Sequence, residues 1–425
     1  MNRETIHSVV TRALASQPIT DLHTHIYSPR FGASPQPAGL LLWGIDELVT
    51  YHYLIAEVYR VVPASVLPYE KFWAMSKAAQ ADHIWKHLFL ERTPVSEACR
   101  GILTTIGKLG LDPGEKSLEK HRKWFATQDP DKHVDRVMEI ANVDSITMTN
   151  AVFDDREREL WLSNSQLGGD PRFKAVLRID PMLRNWPEAV RRLASWGFGV
   201  REDFSGKTVR EAQRFLGEWL DRMRAIYVAV SLSPEFHFPD PGGAPSDRVL
   251  REILLPLLAE RGLPFAMMIG SRLRVNPALA DAGDMSGKAD ILAVANLCHE
   301  FPRNRFLVTM LARENQHELC VAARKFGNLL VFGCWWFLNN PSLIEEITRM
   351  RIELLGTSFV PQHSDARILE QLLYKWEHTR SILAKVLAEK YADLAATGWP
   401  LQPSDIQRDV RLYLRDTFHC FVRSK

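Results

Sequence analysis

The feature that most constrains the fold is a repeated alternation of short apolar runs, rich in β-branched residues, with segments of helical periodicity. The runs cover residues 19–25, 143–149, 173–179, 227–232, 264–269, 305–311, 329–335 and 356–361. Strands that are apolar along their whole length, each followed by a helix, indicate a parallel sheet covered on both faces. Eight such units fit a (β/α)8 barrel better than an open doubly wound sheet. No glycine-rich fingerprint follows the first run, which disfavours a nucleotide-binding fold.

A long helical stretch separates the first two runs. Apolar residues recur there at three- and four-residue steps, as at Leu48, Tyr51 and Ile55, which is the spacing of an amphipathic helix. The sequence therefore predicts a single α/β domain over residues 1–425. We expect a distorted (β/α)8 TIM-type barrel in which residues 40–130 form a helical insertion over the barrel mouth, followed by a helical C-terminal tail.

Charge and cysteine content narrow the class of partner. Charged residues make up 24% of the chain, but the formal net charge is only +2, so neither a nucleic-acid nor a membrane-surface partner is expected. The five cysteines are scattered, which argues against a disulfide framework or a zinc ribbon. Without a signal peptide or an apolar run long enough to span a membrane, the expected location is the cytoplasm. The barrel class is compatible with a homo-oligomer.

In a barrel of this kind the active site lies at the carboxyl ends of the strands. His23 and His25 end the first run and should emerge on one face, about 7 Å apart along the strand. Asp365 follows the eighth run, which neighbours the first in a closed barrel. Two imidazole nitrogens and one carboxylate oxygen suit Zn²⁺ or Mn²⁺. Asp365 could instead cap the helix that follows it, but its position beside the histidines favours the metal.

Arginine and tryptophan side chains are expected at the same mouth. Arg178 lies at the end of the third run, and Arg313 and Arg367 follow the sixth and eighth. Such a cluster suggests an anionic substrate. Each could instead pair with a neighbouring acidic residue, and for Arg313 the two alternatives stand equal. Trp335 and Trp336 point to opposite sides of a strand, so one can cap a sugar face while the other packs on helices.

The predicted insertion adds a possible acid–base pair. His52 and Tyr53 come soon after the first run, and a segment lying over the mouth could bring them to a substrate. His52 also shares a helical stripe with Leu48 and Ile55, so a buried structural histidine is the alternative.

Taken together, these residues resemble the uronate isomerase (glucuronate isomerase) family of the amidohydrolase superfamily, and in particular its shorter, Bacillus-type members. The resemblance covers essentially the whole chain. The residues that carry it are Asp21, His23, His25, His52, Tyr53, Arg60, Arg178, Trp335, Trp336, Phe337, Ser364, Asp365 and Arg367.

The resemblance implies an aldose–ketose isomerase that interconverts D-glucuronate and D-fructuronate, and D-galacturonate and D-tagaturonate, through an enediolate. By this analogy Asp365 is the base that takes the C2 proton. The implied catalytic set is Asp365, His52, Tyr53 and Arg367. The implied substrate-binding set is Arg178, Trp335, Arg60 and Arg313. The expected partner is a hexuronate, a small molecule.

The sequence departs from the superfamily pattern in its metal ligands. Met268 stands where many relatives have a histidine at the end of the fifth strand, which leaves His23, His25 and Asp365. One weakly bound divalent ion, Zn²⁺ or alternatively Mn²⁺, is therefore expected, and it need not be essential. A weak site disfavours the alternative of a metal-dependent hydrolase, which needs a metal-activated water. The third hypothesis for the function is a non-catalytic sugar-acid binding protein. His363 could be a ligand, a core residue or, as we favour, a neighbour that supports the ligands.

Overall fold

Parallel strands form the barrel, which the computed structural model describes over residues 1–34 and 39–424. Within those residues the strands are β1 (Ile19–Thr24), β2 (Val143–Met148), β3 (Asn150–Ala151), β4 (Phe173–Lys174), β5 (Leu177–Arg178), β6 (Val228–Leu232), β7 (Phe265–Ile269), β8 (Ser271–Arg272), β9 (Met285–Ser286), β10 (Phe306–Met310) and β11 (Leu329–Val331). One sheet has the order β1-β2-β4, and a second has the order β11-β10-β7-β6-β5-β3. The two sheets join into one wall because β2 runs on into β3 and β4 into β5.

Helices cover the outside of this wall and fill the long segment after β1. In the described part of the chain they are α1 (Arg3–Ser16), α2 (Ile45–Val49), α3 (His52–Val61), α4 (Tyr69–Trp73), α5 (Lys77–Trp85), α6 (Glu97–Lys108), α7 (Glu119–Ala126), α8 (Pro130–Ala141), α9 (Asp155–Ser163), α10 (Asp180–Arg184), α11 (Trp186–Ser195), α12 (Thr208–Met223), α13 (Pro245–Arg248), α14 (Leu255–Arg261), α15 (Ile291–Glu300), α16 (Gln316–Ala323), α17 (Pro341–Leu355), α18 (Gln371–Ala396), α19 (Pro403–Arg411) and α20 (Thr417–Arg423). None of the helices in these residues combines the length and the apolar character that crossing a bilayer requires. The predicted α/β barrel, with its helical tail, is confirmed.

The eighth strand position is the main departure from the sequence prediction. Residues 356–361 were expected to form a strand, but α17 continues to Leu355 and a single bridge joins Phe332 to Val360. The barrel still closes, because Asp365 N donates to His23 O at 3.1 Å and His25 N donates to Ala366 O at 2.7 Å. Side chains bind several backbone groups of this segment, and so a regular ladder is not formed.

The barrel interior is packed with side chains below the mouth. Leu22, Val176, Met268 and Leu307 belong to one buried cluster inside it. Met268 is 1% exposed, so its side chain fills the interior and offers no donor nitrogen at the mouth. The interior is therefore a solid core, as in other barrels of this type, and space for a ligand is left at the upper end.

A buried carboxylate ties the segment after β1 to the C-terminal helix. Glu370, which immediately precedes α18, is fully buried. It accepts hydrogen bonds from Gly44 N at 3.1 Å and contacts His133 Nε2 at 2.8 Å. The residues that lead into α2 and the helix α8 are thus held against the start of α18, close to Asp365.

Candidate active site

The three predicted metal ligands meet at the barrel mouth. Nε2 of His23 lies 3.3 Å from Asp365 Oδ1, and Nε2 of His25 lies 3.4 Å from the same oxygen. Their ligand atoms all lie within 4.8 Å of one another. His25 is oriented from behind, since its Nδ1 lies 2.9 Å from Thr149 Oγ1, which leaves Nε2 to face the carboxylate. β1 and the eighth strand position therefore build this cluster together.

Burial and the contacts within the cluster together determine the protonation states of its side chains. Burial alone would raise the pKa of Asp365, but the imidazoles of His23 and His25 outweigh it and hold that pKa well below its usual range. Burial lowers the pKa of His25 to about 4, although Asp365 acts in the opposite direction. At neutral pH the site therefore presents an ionised carboxylate next to a neutral imidazole, which are the forms that bind a divalent cation.

The donor set fits a divalent cation. His23 Nε2 and Asp365 Oδ1 are buried and lie 3.3 Å apart, but neither atom is aligned for a hydrogen bond with the other or with any other group of residues 1–34 and 39–424. Buried polar atoms without partners are rare and costly unless something else binds them. Two nitrogens and one oxygen form the kind of set that holds zinc with a position left open.

A cavity of about 220 Å³ opens beside this cluster. The residues that line it are His23, His25, Tyr51, His52, Arg178, Arg184, Ser231, Ser271, Leu273, Asp281, Asp284, Trp335, Trp336, Asp365 and Arg367. Charged and aromatic side chains converge on a small volume, which suits a small polar molecule.

The arginines at the cavity differ in how they are held. Arg178 donates to both oxygens of Asp180, at 2.6 and 3.1 Å, and to Ser231 Oγ at 3.0 Å. Arg367 pairs with Asp281 at 3.1 Å. Arg184 lines the cavity but forms no ion pair within 4.0 Å in the described part of the chain, so its charge is available to an anionic ligand.

Two predicted arginines lie away from the cavity. Arg313 was expected to share the mouth with Arg178 and Arg367, but its exposed side chain turns outward and pairs with Glu346 of α17 at 2.9 Å. Arg60 lies in the last turn of α3 and is exposed. It is eight residues beyond His52, or about 12 Å along a helix, which explains why it does not line the cavity.

His52 stands at the cavity with Tyr51, rather than Tyr53, beside it. Nε2 of His52 accepts a hydrogen bond from Trp336 Nε1 at 3.1 Å, and burial lowers the pKa of His52 to about 3. The Tyr51 ring centroid lies 4.0 Å from that of His52, and Tyr51 lines the cavity. Tyr53 does not line it; its ring packs against His52 and Phe337, and its buried hydroxyl lacks a partner among the described residues.

The predicted tryptophans both contribute to the cavity wall. Trp335 is 4% exposed, and Trp336 lies next to it at the end of the seventh strand position. Trp335 belongs to the buried cluster of the barrel interior, whereas Trp336 donates to His52 of α3 and stacks on Phe337. Which of the two meets a sugar face stays a prediction.

His363 lies behind the ligands and not among them. Its ring centroid is 5.2 Å from that of His23. Both of its ring nitrogens are buried without a hydrogen-bond partner in the described residues. It contacts the His23 ring, and the supporting role favoured from the sequence stays a prediction.

Several cavity residues were not anticipated from the sequence. Arg184 ends the short helix α10, and Ser231 lies near the end of β6. Asp281 and Asp284 belong to the segment between β8 and β9. The signal that could have found this segment is its length, since more than a dozen residues between a strand and its helix is unusual and often functional.

Comparison with solved structures gives a close match. The crystal structure of a uronate isomerase from Bacillus halodurans C-125 superimposes with a TM-score of 0.94 and 50% sequence identity, over 100% of this chain and 98% of that one. A glucuronate isomerase from Caulobacter crescentus has a TM-score of 0.76 and 14% identity, over 100% of this chain and 95% of its own. A uronate isomerase from Thermotoga maritima has a TM-score of 0.75 and 14% identity, over 99% and 98%. The latter two share the fold. No protein-family model and no curated protein matched the chain.

Proposed function

The chain belongs to the uronate isomerase family, and from that premise we propose that it interconverts D-glucuronate with D-fructuronate, and D-galacturonate with D-tagaturonate. The protein is an isomerase that acts on a hexuronate, and the resemblance inferred from the sequence is confirmed at this level. The observation that carries the proposal is the match to a uronate isomerase over the whole chain. The cavity is consistent with it, because an ionised carboxylate and several arginines stand around a space suited to a sugar acid.

The proposed chemistry moves a carbonyl from C1 to C2. Asp365 takes the C2 proton and returns a proton to C1, for which it must be ionised at neutral pH, as its lowered pKa supports. His52 is neutral there and can exchange a proton with the C1 and C2 oxygens. The Arg367 guanidinium can stabilise negative charge as it develops on those oxygens.

We propose that the substrate carboxylate is held by arginine. Arg178 is oriented by Asp180 and Ser231, and Arg184 has no acidic partner within 4.0 Å among the described residues. Guanidinium groups bind carboxylates in a bidentate, directional way. Trp335 supplies an apolar surface for the sugar face. The tyrosine best placed to assist is Tyr51, which takes the position proposed from sequence for Tyr53.

His23, His25 and Asp365 would hold one divalent ion, for which Zn²⁺ is the first candidate and Mn²⁺ the alternative. When bound, such an ion would polarise substrate oxygens as a Lewis acid. We propose that it is weakly held and not essential, because Met268 is buried and gives no fourth ligand.

The organisation of the chain belongs to the same proposal. We propose that residues 40–130 are an insertion whose helix α3 closes one side of the cavity, as the contribution of His52 supports. A single domain, a cytoplasmic location and a homo-oligomeric assembly complete the proposal.

A coupled assay tests the proposed reaction. Purified protein is incubated with D-glucuronate or D-galacturonate, and the ketose is reduced by an NADH-dependent fructuronate or tagaturonate reductase. NADH consumption that requires both enzymes is expected, and D-glucose, which lacks the carboxylate, should give none. Absence of turnover with either uronate, with and without added Zn²⁺ or Mn²⁺, would refute the proposal.

A further inference from the structure

The backbone that carries Asp365 is in a left-handed conformation, with φ of +50°. Residues other than glycine adopt this region rarely, and it persists only where the surroundings over-determine it. Three successive N–H groups are bound here. Ser364 N donates to the Asp21 carboxylate at 3.1 Å, Asp365 N to His23 O at 3.1 Å, and Ala366 N to Ser364 Oγ at 3.1 Å.

Helix α18 contacts Ser364 directly through Lys375 and indirectly through Asp21. Lys375 Nζ donates to Ser364 O at 2.6 Å. Trp376, the next residue, donates Nε1 to Asp21 Oδ2 at 2.9 Å, and Asp21 in turn accepts from Ser364 N. This helical turn therefore contributes to the orientation of the peptide that precedes Asp365, together with Asn339, whose Nδ2 donates to the same carbonyl at 3.1 Å.

Lys375 is an unusual residue to find in this position. It is 3% exposed, and the Ser364 carbonyl is its one hydrogen-bond acceptor in the described residues. Burial lowers the pKa of Lys375, while the carboxylates of Asp365 and Asp21 act in the opposite direction. A buried ammonium without a carboxylate in contact is costly, so packing alone does not account for a lysine here.

We propose that Lys375 is a positioning residue for the isomerisation. Its ammonium fixes the Ser364–Asp365 peptide, and thereby aims the Asp365 carboxylate at C2 of the substrate. The inference rests on the proposed function, in which Asp365 is the base. Displacement of a catalytic group by about 1 Å can cost about 10²-fold in rate, and rotation of this peptide would move the Asp365 side chain directly.

The test compares two lysines of the same helix. Lys375→Met removes the ammonium and keeps a long apolar side chain, whereas Lys385→Met changes an exposed lysine that pairs with Glu345. For Lys375→Met we expect kcat to fall about 10²-fold with KM changed by no more than about 2-fold. With substrate deuterated at C2, the isotope effect on kcat should increase, because proton abstraction becomes slower. Lys385→Met should match the wild type in all three.

A second variant tests the other contact that this turn of α18 makes. Trp376→Phe removes the hydrogen bond to Asp21 but keeps a smaller aromatic ring at this buried site, and should lower kcat about 10-fold without raising KM. A folded Lys375→Met protein with wild-type kcat overturns the inference, as does a variant in which only KM changes. If Lys375→Met does not fold, Lys375→Gln replaces it as the variant without the ammonium, and wild-type kcat in that protein overturns the inference. Inactivity of the wild type would instead overturn the proposed function.

Discussion

Gly333→Ala is the substitution for which the structure gives the sharpest expectation. Gly333 has φ of +63°, and a Cβ atom there would lie 1.7 Å from Nδ1 of His363. The His363 ring cannot move aside easily, because its centroid lies 5.2 Å from that of His23 and 5.3 Å from that of Phe332. The added methyl group should therefore disturb both the barrel interior and the ligand cluster.

The cost in unfolding free energy has two parts. Placing alanine in the left-handed region costs about 1 kcal/mol, and overpacking of a buried site adds about 1–3 kcal/mol. Gly333→Ala should thus destabilise the protein by about 2–4 kcal/mol in all. Gly262→Ala is a matched control, since Gly262 has φ of +62° and no atom within 4 Å of its would-be Cβ. Gly262→Ala should be destabilised only by the backbone cost of about 1 kcal/mol.

Urea unfolding of the two variants measures this difference. Gly333→Ala should have a lower urea midpoint than Gly262→Ala and a lower kcat, because His363 contacts His23. Combining Gly333→Ala with His363→Ala should cost less than the sum of the two single changes, as expected for residues in contact. Equal destabilisation by the two glycine variants would refute the reasoning, since backbone conformation alone would then explain the effect.

Three further predictions concern the site. Asp365→Asn should lower kcat at least about 10²-fold and leave the circular dichroism spectrum unchanged; near-full turnover would show that the base is another group. Arg184→Gln should raise KM for uronates about 10-fold with little change in kcat. Arg313→Ala should leave steady-state kinetics unchanged. The reverse pattern would contradict the placement of Arg184 at the cavity and of Arg313 outside it. His25→Ala should abolish the Zn²⁺-binding isotherm in calorimetry, and unaltered binding would exclude His25 as a ligand.

The barrel could be predicted because its strands are buried on both faces and therefore apolar throughout. The proximity of His23 and Asp365 could be predicted as well, since the first and eighth strand positions are neighbours in a closed barrel. In the described residues the eighth position keeps a single bridge, at Val360, while the side chains of Tyr413 and Thr417 bind the carbonyls of Gly356 and Thr357. Such partners are distant in sequence and leave no local pattern.

The cavity wall was less predictable, for reasons that differ between residues. The periodicity included Tyr51 in a helix, but Tyr51 lies between α2 and α3 with extended backbone angles, φ −64° and ψ 143°. Its place at the cavity therefore could not be predicted from a helical pattern. Arg313 follows a strand as expected, but a short helical turn begins there and its side chain meets Glu346. Asp281 lies in a segment without periodicity, and its pairing with Arg367 depends on tertiary structure.

The two oxygens of Asp365 explain how one carboxylate can serve as both ligand and base. Oδ1 is buried and lies next to both imidazoles, whereas Oδ2 accepts no hydrogen bond from the described residues. A cation held beside Oδ1 would lower the proton affinity of the whole carboxylate, so a tightly held ion would make Asp365 a poorer base. With Met268 offering no fourth donor, a bound ion would have only His23, His25 and Asp365 as protein ligands. Because His23 and His25 already hold the pKa of Asp365 well below its usual range, a tightly bound ion would weaken this base further, and a sparse ligand set limits that loss.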